Sequence, residues 1–516
     1  MINRRHFNGL AGGSIAALLA GIRPTSAADD IERVIIGIDG DIKTFNILQR
    51  FDNSWFPSTL YFERLTAMDY GPEFKIRPQL AKSWEVSDDG LVYTFRLQEG
   101  VTWHDGAPFT SRDVKYTFET IVANNTYSAP PLKVISSIET PDDLTLILRM
   151  SRPSASFMPA IATYPRFAIL PAHLYEGKSW DDHPNNMNPV GTGPFRFQEH
   201  RPGEYIAFTR YDGYWGEKPA IKQVIYRIIP EPNIQVAQLQ SGEIHALNNP
   251  PPLAMEPILN NFPGCTVDSP AGPMTYYLAF NVTKAPFDKA EVRQALARAI
   301  DRNVLAERAS LGIYRPAAGT YVSAIDWAFD DNVRLPTLDL AKAGEMLDAA
   351  GYPLNGGIRF AFDLWVSRPT EITSAQIIRE QLKAIGVDVR INQMEDILMR
   401  STMPKLEHAA YIYGNWWGPD PSEWAQYTVS KGPWNHMGYS NPEVDKLFDE
   451  GDLALTEDGR KAAYSAIQKI LLEEMPRVPL FDSGPYSFAR RTDLTGWFSE
   501  DPVSYRSDLR RVRKAT

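Results

Sequence analysis

The chain has 516 residues and a formal net charge of -10, with 43% hydrophobic, 22% charged and 11% aromatic residues. Such a composition excludes a disordered chain, and the acidic balance argues against nucleic acid or anionic lipid, which call for basic stripes. The length exceeds the roughly 250–300 residues at which one core stops growing, so two or three domains are expected. Cys265 stands alone, which leaves neither an intramolecular disulfide nor a cysteine metal site.

Residues 1–28 read as an export signal. Arg4 and Arg5 precede a glycine-rich apolar run over 7–22, and Ser26 and Ala28 suit a small-x-small cleavage site. The run falls short of the ~20 apolar residues of a membrane span. The order Arg4-Arg5-His6-Phe7 looks like a twin-arginine signal, against an ordinary secretory signal that carries two arginines. Its removal takes Arg4, Arg5 and Arg23 and leaves the mature chain more acidic.

Residues 33–38 form a short apolar strand leading to an aromatic region with Phe51, Trp55 and Phe56, and a helix begins over 57–65. Two hairpins are expected, 80–84 with 91–97 about Asp88-Asp89-Gly90, and 134–139 with 144–148 about Pro141-Asp142-Asp143. Between them Thr110 and Asp113 cap a helix over 114–122. Proline-interrupted turns fill 154–176, and 180–194 is loop. The stretch 204–247 reads as strand, the aromatic turn Tyr211-Asp212-Gly213-Tyr214-Trp215-Gly216, an alternating strand over 223–229, and a helix capped by Asn233 and stopped at Gly242. Strands at 274–282, 358–364 and 387–391 then alternate with helices at 290–300, 340–350 and 373–385, which predicts a layered α/β domain over about 277–480. Helices at 442–450 and 460–474 precede a break at 476–479, a last strand over 480–488 and a charged, peripheral tail.

The run Val101-Thr102-Trp103-His104-Asp105-Gly106, with Pro108-Phe109-Thr110 and Asp113-Val114, resembles the signature of the extracellular solute-binding proteins of family 5. These are the dipeptide/oligopeptide-type components of ABC importers. Asn188-Pro189-Val190-Gly191-Thr192-Gly193-Pro194-Phe195, Tyr214-Trp215-Gly216, residues 239–243, Ala279-Phe280-Asn281 and Asn441-Pro442-Glu443-Val444-Asp445 fit the same family in order along the mature chain. The resemblance implies an α/β, two-lobed periplasmic binding protein fold, type II, in its large variant with an extra subdomain on lobe I and two hinge crossings. Carried onto this chain, lobe I comprises 29–275 and 481–516, the extra subdomain about 55–180, and lobe II 276–480. It also implies a monomer without cofactor that closes on a small polar organic solute, a peptide, an opine or a related compound, and delivers it to a membrane permease. An oligosaccharide or a metal-chelate or polycarboxylate ligand is the alternative.

The cleft candidates centre on Tyr411-Ile412-Tyr413-Gly414-Asn415-Trp416-Trp417-Gly418-Pro419-Asp420-Pro421, where the resemblance places a ligand-lining segment. Trp416 and Trp417 point oppositely if extended, and Trp417 is the preferred cleft residue. Asp420 either neutralises a ligand amine or caps the next helix. Trp365 and Arg368 follow a strand where the family presents a ligand loop, and Arg368 could hold a carboxylate or remain a solvated surface arginine. Asn435 and His436 lie in a rim loop, Asn53 and Trp55 approach from lobe I, and Tyr277 stands with Tyr276 at the crossing as wall packing. His104 is expected to hydrogen-bond locally. The sequence contains no GxSxG, HExxH, Walker-type or dinucleotide-glycine pattern, so an exported hydrolase is a remote alternative. The 8 histidines include no close pair, which argues against a directly coordinated metal.

Overall fold

The computed structural model describes residues 30–49, 53–68, 74–163, 165–268, 274–320, 325–416, 418, 420–483, 487–497 and 509–515; the export signal expected over 1–28 lies outside them. The chain opens with β1 (Ile31–Ile38) and α1 (Trp55–Tyr61), then makes two hairpin pairs on either side of α2 (Ser111–Ala123). These are β2 (Ala81–Val86) with β3 (Val92–Leu97), and β4 (Ile135–Asp142) with β5 (Thr145–Met150). A meander of β6 (Phe195–Arg201), β7 (Tyr205–Arg210) and β8 (Ile221–Ile228) passes through α3 (Pro232–Ser241) to β9 (Ala246–Leu247) and β10 (Cys265–Asp268). The second half runs through β11 (Met274–Phe280), α4 (Ala290–Ala299), β12 (Arg315–Pro316), β13 (Phe360–Val366), α5 (Pro369–Lys383), β14 (Val387–Gln393), α6 (Asp396–Thr402) and β15 (Ala410–Trp416). Helices α7 (Pro442–Leu453) and α8 (Glu457–Glu474) precede β16 (Arg477–Ser483) and β17 (Phe488–Arg491).

Two large sheets result. The first has the order β10-β17-β9-β1-β8-β7-β6, and β1 runs parallel to both of its neighbours. The second has the order β12-β16-β11-β15-β13-β14, in which β13 is likewise parallel to the strands on both sides. A separate antiparallel sheet, β2-β3-β5-β4, shares the hydrophobic cluster on one face of the first sheet. Strands in the middle of these sheets are covered on both faces: β1, between two parallel partners, buries Val34, Ile36 and Ile38, and β11, between two antiparallel partners, buries Leu278, Ala279 and Phe280 in succession. The architecture is a two-lobed α/β fold.

Local chemistry accounts for most boundaries. Thr110 and Asp113 form a capping box at α2. Gly242 ends α3 in the left-handed region at φ 81°, as its position in the sequence predicts. The start of α3 differs from expectation: Pro232 occupies the first turn and Glu231 the cap, because proline needs no backbone donor there, and Asn233 falls inside the helix. The aromatic turn between β7 and β8 is a structural strap. Tyr214 donates to Glu63 at 2.9 Å, the Trp215 indole donates to the same carboxylate at 2.8 Å, and the Tyr211 hydroxyl donates to the Trp103 carbonyl at 3.1 Å. Burial raises the Glu63 carboxyl pKa against the pull of these donors and of Arg510.

The chain passes between the sheets twice, side by side. Asp268 pairs with Phe488 in the first sheet, and Met274 pairs with Ser483 in the second. The exchanges therefore lie between Asp268 and Met274 and between Ser483 and Phe488, and the single strand expected over 480–488 is two strands in different sheets. Pro479 does not break β16. It sits where the β11–β16 register shifts, at a position where the ladder forgoes a donor. The tail is not peripheral either. Arg513–Lys514 pairs with Leu494–Thr495, and Leu509 and Val512 are buried with Trp497 in the first lobe's core.

Candidate functional site

In each large sheet the chain reverses direction about one central parallel strand. From β8 it crosses through α3 to β9 on the far side of β1, and from β13 it goes out through α5 to β14, then returns through α6 to β15 on the far side of β13. Open α/β sheets bind ligands in the crevice at the carboxyl ends of strands at such reversals. Those ends carry Asp39 after β1 and Ser367-Arg368 after β13.

At the second lobe's reversal the buried Glu371 carboxylate accepts from the backbone amides of Ser367 at 3.1 Å and Arg368 at 3.0 Å, and from the Ser367 hydroxyl at 3.0 Å. That closes a capping box on α5 and fixes the Arg368 backbone. The Arg368 side chain then donates to Asp396 at 3.2 Å and to the Tyr413 hydroxyl at 2.7 Å, and its guanidinium lies 4.5 Å from the Tyr413 ring centroid. Arg400 approaches the same ring at 5.7 Å and pairs with the other Asp396 oxygen at 2.9 Å. Two guanidiniums thus meet the half-buried Asp396 carboxylate, while Glu371 accepts from the amides below through one oxygen and lies 3.9 Å from the Arg368 guanidinium through the other. Arg368 keeps 31% of its side chain accessible, so it has donors left for an outside acceptor.

The remaining expected residues fall into distinct places. Trp365 is half-buried near the end of β13, its ring 5.4 Å from that of His408. Asn53 lies at the entrance of α1 and donates to Asp39 at 3.2 Å. Trp55 is 3% exposed within the first lobe's core. Tyr277 is buried, accepts from Asn415 at 2.8 Å and has Arg477 5.8 Å from its ring. Asn435 uses its whole amide on loop backbone, donating to the carbonyls of Val429 and Tyr439 and accepting from the Tyr439 amide. His436 is buried, which lowers its pKa, and its carbonyl accepts from His408 at 2.9 Å. Asp420 caps the following short helix through the Ser422 amide at 3.0 Å and pairs with buried Arg460 at 2.7 Å, so its charge is satisfied within the protein. Trp417 and the Trp416 side chain lie outside the described residues. No group of metal-ligating side chains occurs among the described residues.

Sequence reasoning passed over Asp39, Asp396, Arg400, Arg166 and Glu423. Arg166 of the first lobe pairs with Glu423 of the second at 3.7 Å. Both act electrostatically on Tyr427, which also feels Tyr413 and Arg400, so this contact between lobes lies near the arginine cluster. No residue pattern marks these groups in advance, since each depends on which strand ends the topology brings together.

The sequence pattern of the bacterial extracellular solute-binding proteins, family 5 Middle, matches residues 75–436. The chain belongs to that family. Similar proteins include heme-binding protein A of Haemophilus influenzae, 28% identical over 464 residues, with 83% of each chain covered. The di/tripeptide-binding protein 1 of Pseudomonas aeruginosa is 29% identical over 467 residues, covering 84% of this chain and 85% of the relative. The crystal structure of the ABC transporter substrate-binding protein CtaP from Listeria monocytogenes superimposes with a TM-score of 0.84 at 24% identity, covering 94% of this chain and 99% of CtaP. The protein is a periplasmic solute-binding protein of the ABC-importer type. Members of this family are transport binding proteins, not enzymes.

Proposed function

We propose that the solute is a small polar organic molecule of peptide or opine type, held between the carboxyl ends of β1 and β13, with an acidic group on Arg368. The observation that carries this reading is the partly exposed Arg368 guanidinium, fixed by Asp396 and Tyr413 and accompanied by Arg400. A carboxylate meeting that pair forms charge-assisted hydrogen bonds, the strongest kind available to a side chain. The di/tripeptide-binding relative agrees with such a ligand class. Trp365 supplies aromatic surface, and Tyr277, Asn415, Asn435 and His436 shape the wall behind it. Asp420 serves that wall by anchoring its loop to Arg460. The β2-β3-β5-β4 sheet is the extra subdomain of lobe I, the paired exchanges next to β11 and β16 are the hinge, the protein works as a monomer, and Arg4-Arg5 direct export by the twin-arginine route.

Native mass spectrometry of the mature protein taken from periplasm without refolding tests the reading. A bound solute with at least one carboxylate is expected, and Arg368→Gln should weaken its binding by about 10- to 100-fold. A bound solute with no acidic group, or unchanged retention in the variant, would overturn it.

A further inference from the structure

Asp39 follows β1 and carries a carboxylate with one side-chain donor among the described residues, the Asn53 amide at 3.2 Å. Among the described residues no arginine, lysine or histidine pairs with it. Asp41 makes the contrast clear, since its oxygens accept from His200 at 2.7 Å and from the Gly203 amide at 2.8 Å. Asp39 is exposed to solvent, yet burial by the surrounding protein raises its pKa against the opposing pull of Asn53. Gly40 makes the arrangement possible, because a Cβ there would stand 2.7 Å from the Asn53 amide nitrogen and push it off Asp39. The position lies at the strand-order reversal of the first sheet, where such folds leave a crevice.

We propose that Asp39, oriented by Asn53, receives a cationic nitrogen of the solute, so that the ligand is a zwitterion with an ammonium end on lobe I. The proposal rests on the reading that places the acidic end on Arg368. A partly desolvated carboxylate with a single neutral partner is a costly arrangement in the empty protein. An ammonium ion returns both a counter-charge and charge-assisted hydrogen bonds, whereas a neutral hydroxyl returns only one hydrogen bond. The opposed charges also fix which end of the solute meets which lobe.

The probes are a synthetic tripeptide pool with free amino termini and the same pool N-acetylated, titrated against wild type, Asp39→Asn and Arg368→Gln at pH 7.5 by thermal shift and tryptophan fluorescence. Wild type should bind the free-amine pool, with N-acetylation and Asp39→Asn each weakening binding by about 10- to 100-fold. The two losses should not add, because each removes one half of the same pair. Unliganded Asp39→Asn should melt no lower than wild type, which separates a ligand contact from a structural one. Equal penalties for N-acetylation in wild type and Asp39→Asn would overturn the role of Asp39. So would free-amine binding that survives Asp39→Asn, and in both cases a loss in Arg368→Gln would leave the acidic-end reading standing. If neither pool binds wild type, the solute released from periplasmic protein decides. A solute without a basic nitrogen overturns the proposal, and one with it must be lost from Asp39→Asn.

Discussion

His104 illustrates how a family signature can be structural. The Gly191 amide donates to its Nδ1 at 3.2 Å, so the ring is neutral with its proton on Nε2, which donates to the Gly193 carbonyl at 2.9 Å. Gly191 and Gly193 are glycines because a Cβ at either position would strike the backbone of α1, at 1.6 Å from the Tyr61 oxygen and 2.4 Å from the Leu60 oxygen. Burial, helped by Arg196, lowers the His104 pKa from 6.5 to about 4. Protonation would put a hydrogen on the nitrogen that accepts from Gly191. The unfolded chain takes up that proton first as pH falls, so the stability from neutral His104 is complete above pH 6.5 and is lost progressively down to about pH 4. A loss of roughly 2–3 kcal/mol is expected at the acid end of that window. Urea melts at pH 7.5 and pH 4.5 measure it. His104→Gln should flatten the profile without levelling it, since burial also lowers the His408 pKa to about 4. A variant with the wild-type slope would refute the assignment.

At the scale of elements, the N-terminus of α5 couples stability to the candidate site. Glu371 satisfies two orphan amides and a hydroxyl at the turn that presents Arg368. Glu371→Ala leaves those donors buried and should cost about 1–2 kcal/mol in chemical denaturation. It should also weaken solute binding, because the Arg368 backbone loses its anchor while the guanidinium remains. Glu371→Gln keeps one acceptor and should recover part of both losses; full binding in Glu371→Ala would separate the cap from the site. Elements of this kind were legible in the sequence wherever local chemistry decides them. The capping box at Thr110 and Asp113, the glycine stop at Gly242, both hairpins and the strand–helix alternation of the second lobe all stand where residue pattern puts them. What local pattern could not show is pairing between distant segments. The residues over 480–488 look like one strand because nothing in their side chains records that Ser483 pairs with Met274 while Phe488 pairs with Asp268. Arg400 reads as a surface arginine on α6 until β15 brings the Tyr413 ring beneath it. Asp420 offered two readings, and only the buried Arg460, forty positions away, shows where its charge goes.

On the scale of the whole molecule, the two lobes touch through a second set of contacts well separated in sequence from the arginine cluster. Asp452 in α7 accepts from the Ser154 hydroxyl at 3.1 Å, from the Ser156 amide at 3.1 Å and from the Ser156 hydroxyl, and it pairs with Arg152 at 3.3 Å. The Asp452 carbonyl accepts from the Ala155 amide at 2.8 Å, and Leu455 packs against Gly90 in the β2–β3 turn. These groups lie on the β2-β3-β5-β4 side of the first lobe and on the second lobe's helix, so they form only while the two are together. A contact made in one conformation and not in another biases the equilibrium between them by its own free energy. Asp452→Ala removes the shared acceptor of two serines and an arginine, and should shift the empty protein toward an open form. Small-angle scattering should then report a larger radius of gyration for the variant without solute and a return to the wild-type value at saturation. Solute affinity should fall by roughly tenfold although no group at β1 or β13 has changed, because the binding-competent fraction is smaller. The double variant Ser154→Ala with Ser156→Ala should move both readouts the same way by a smaller amount, since Arg152 remains. An unchanged radius together with unchanged affinity in Asp452→Ala would mean that this clasp holds equally in every state the protein visits, and that closure is governed by the solute and by other contacts, the Arg166–Glu423 pair among them.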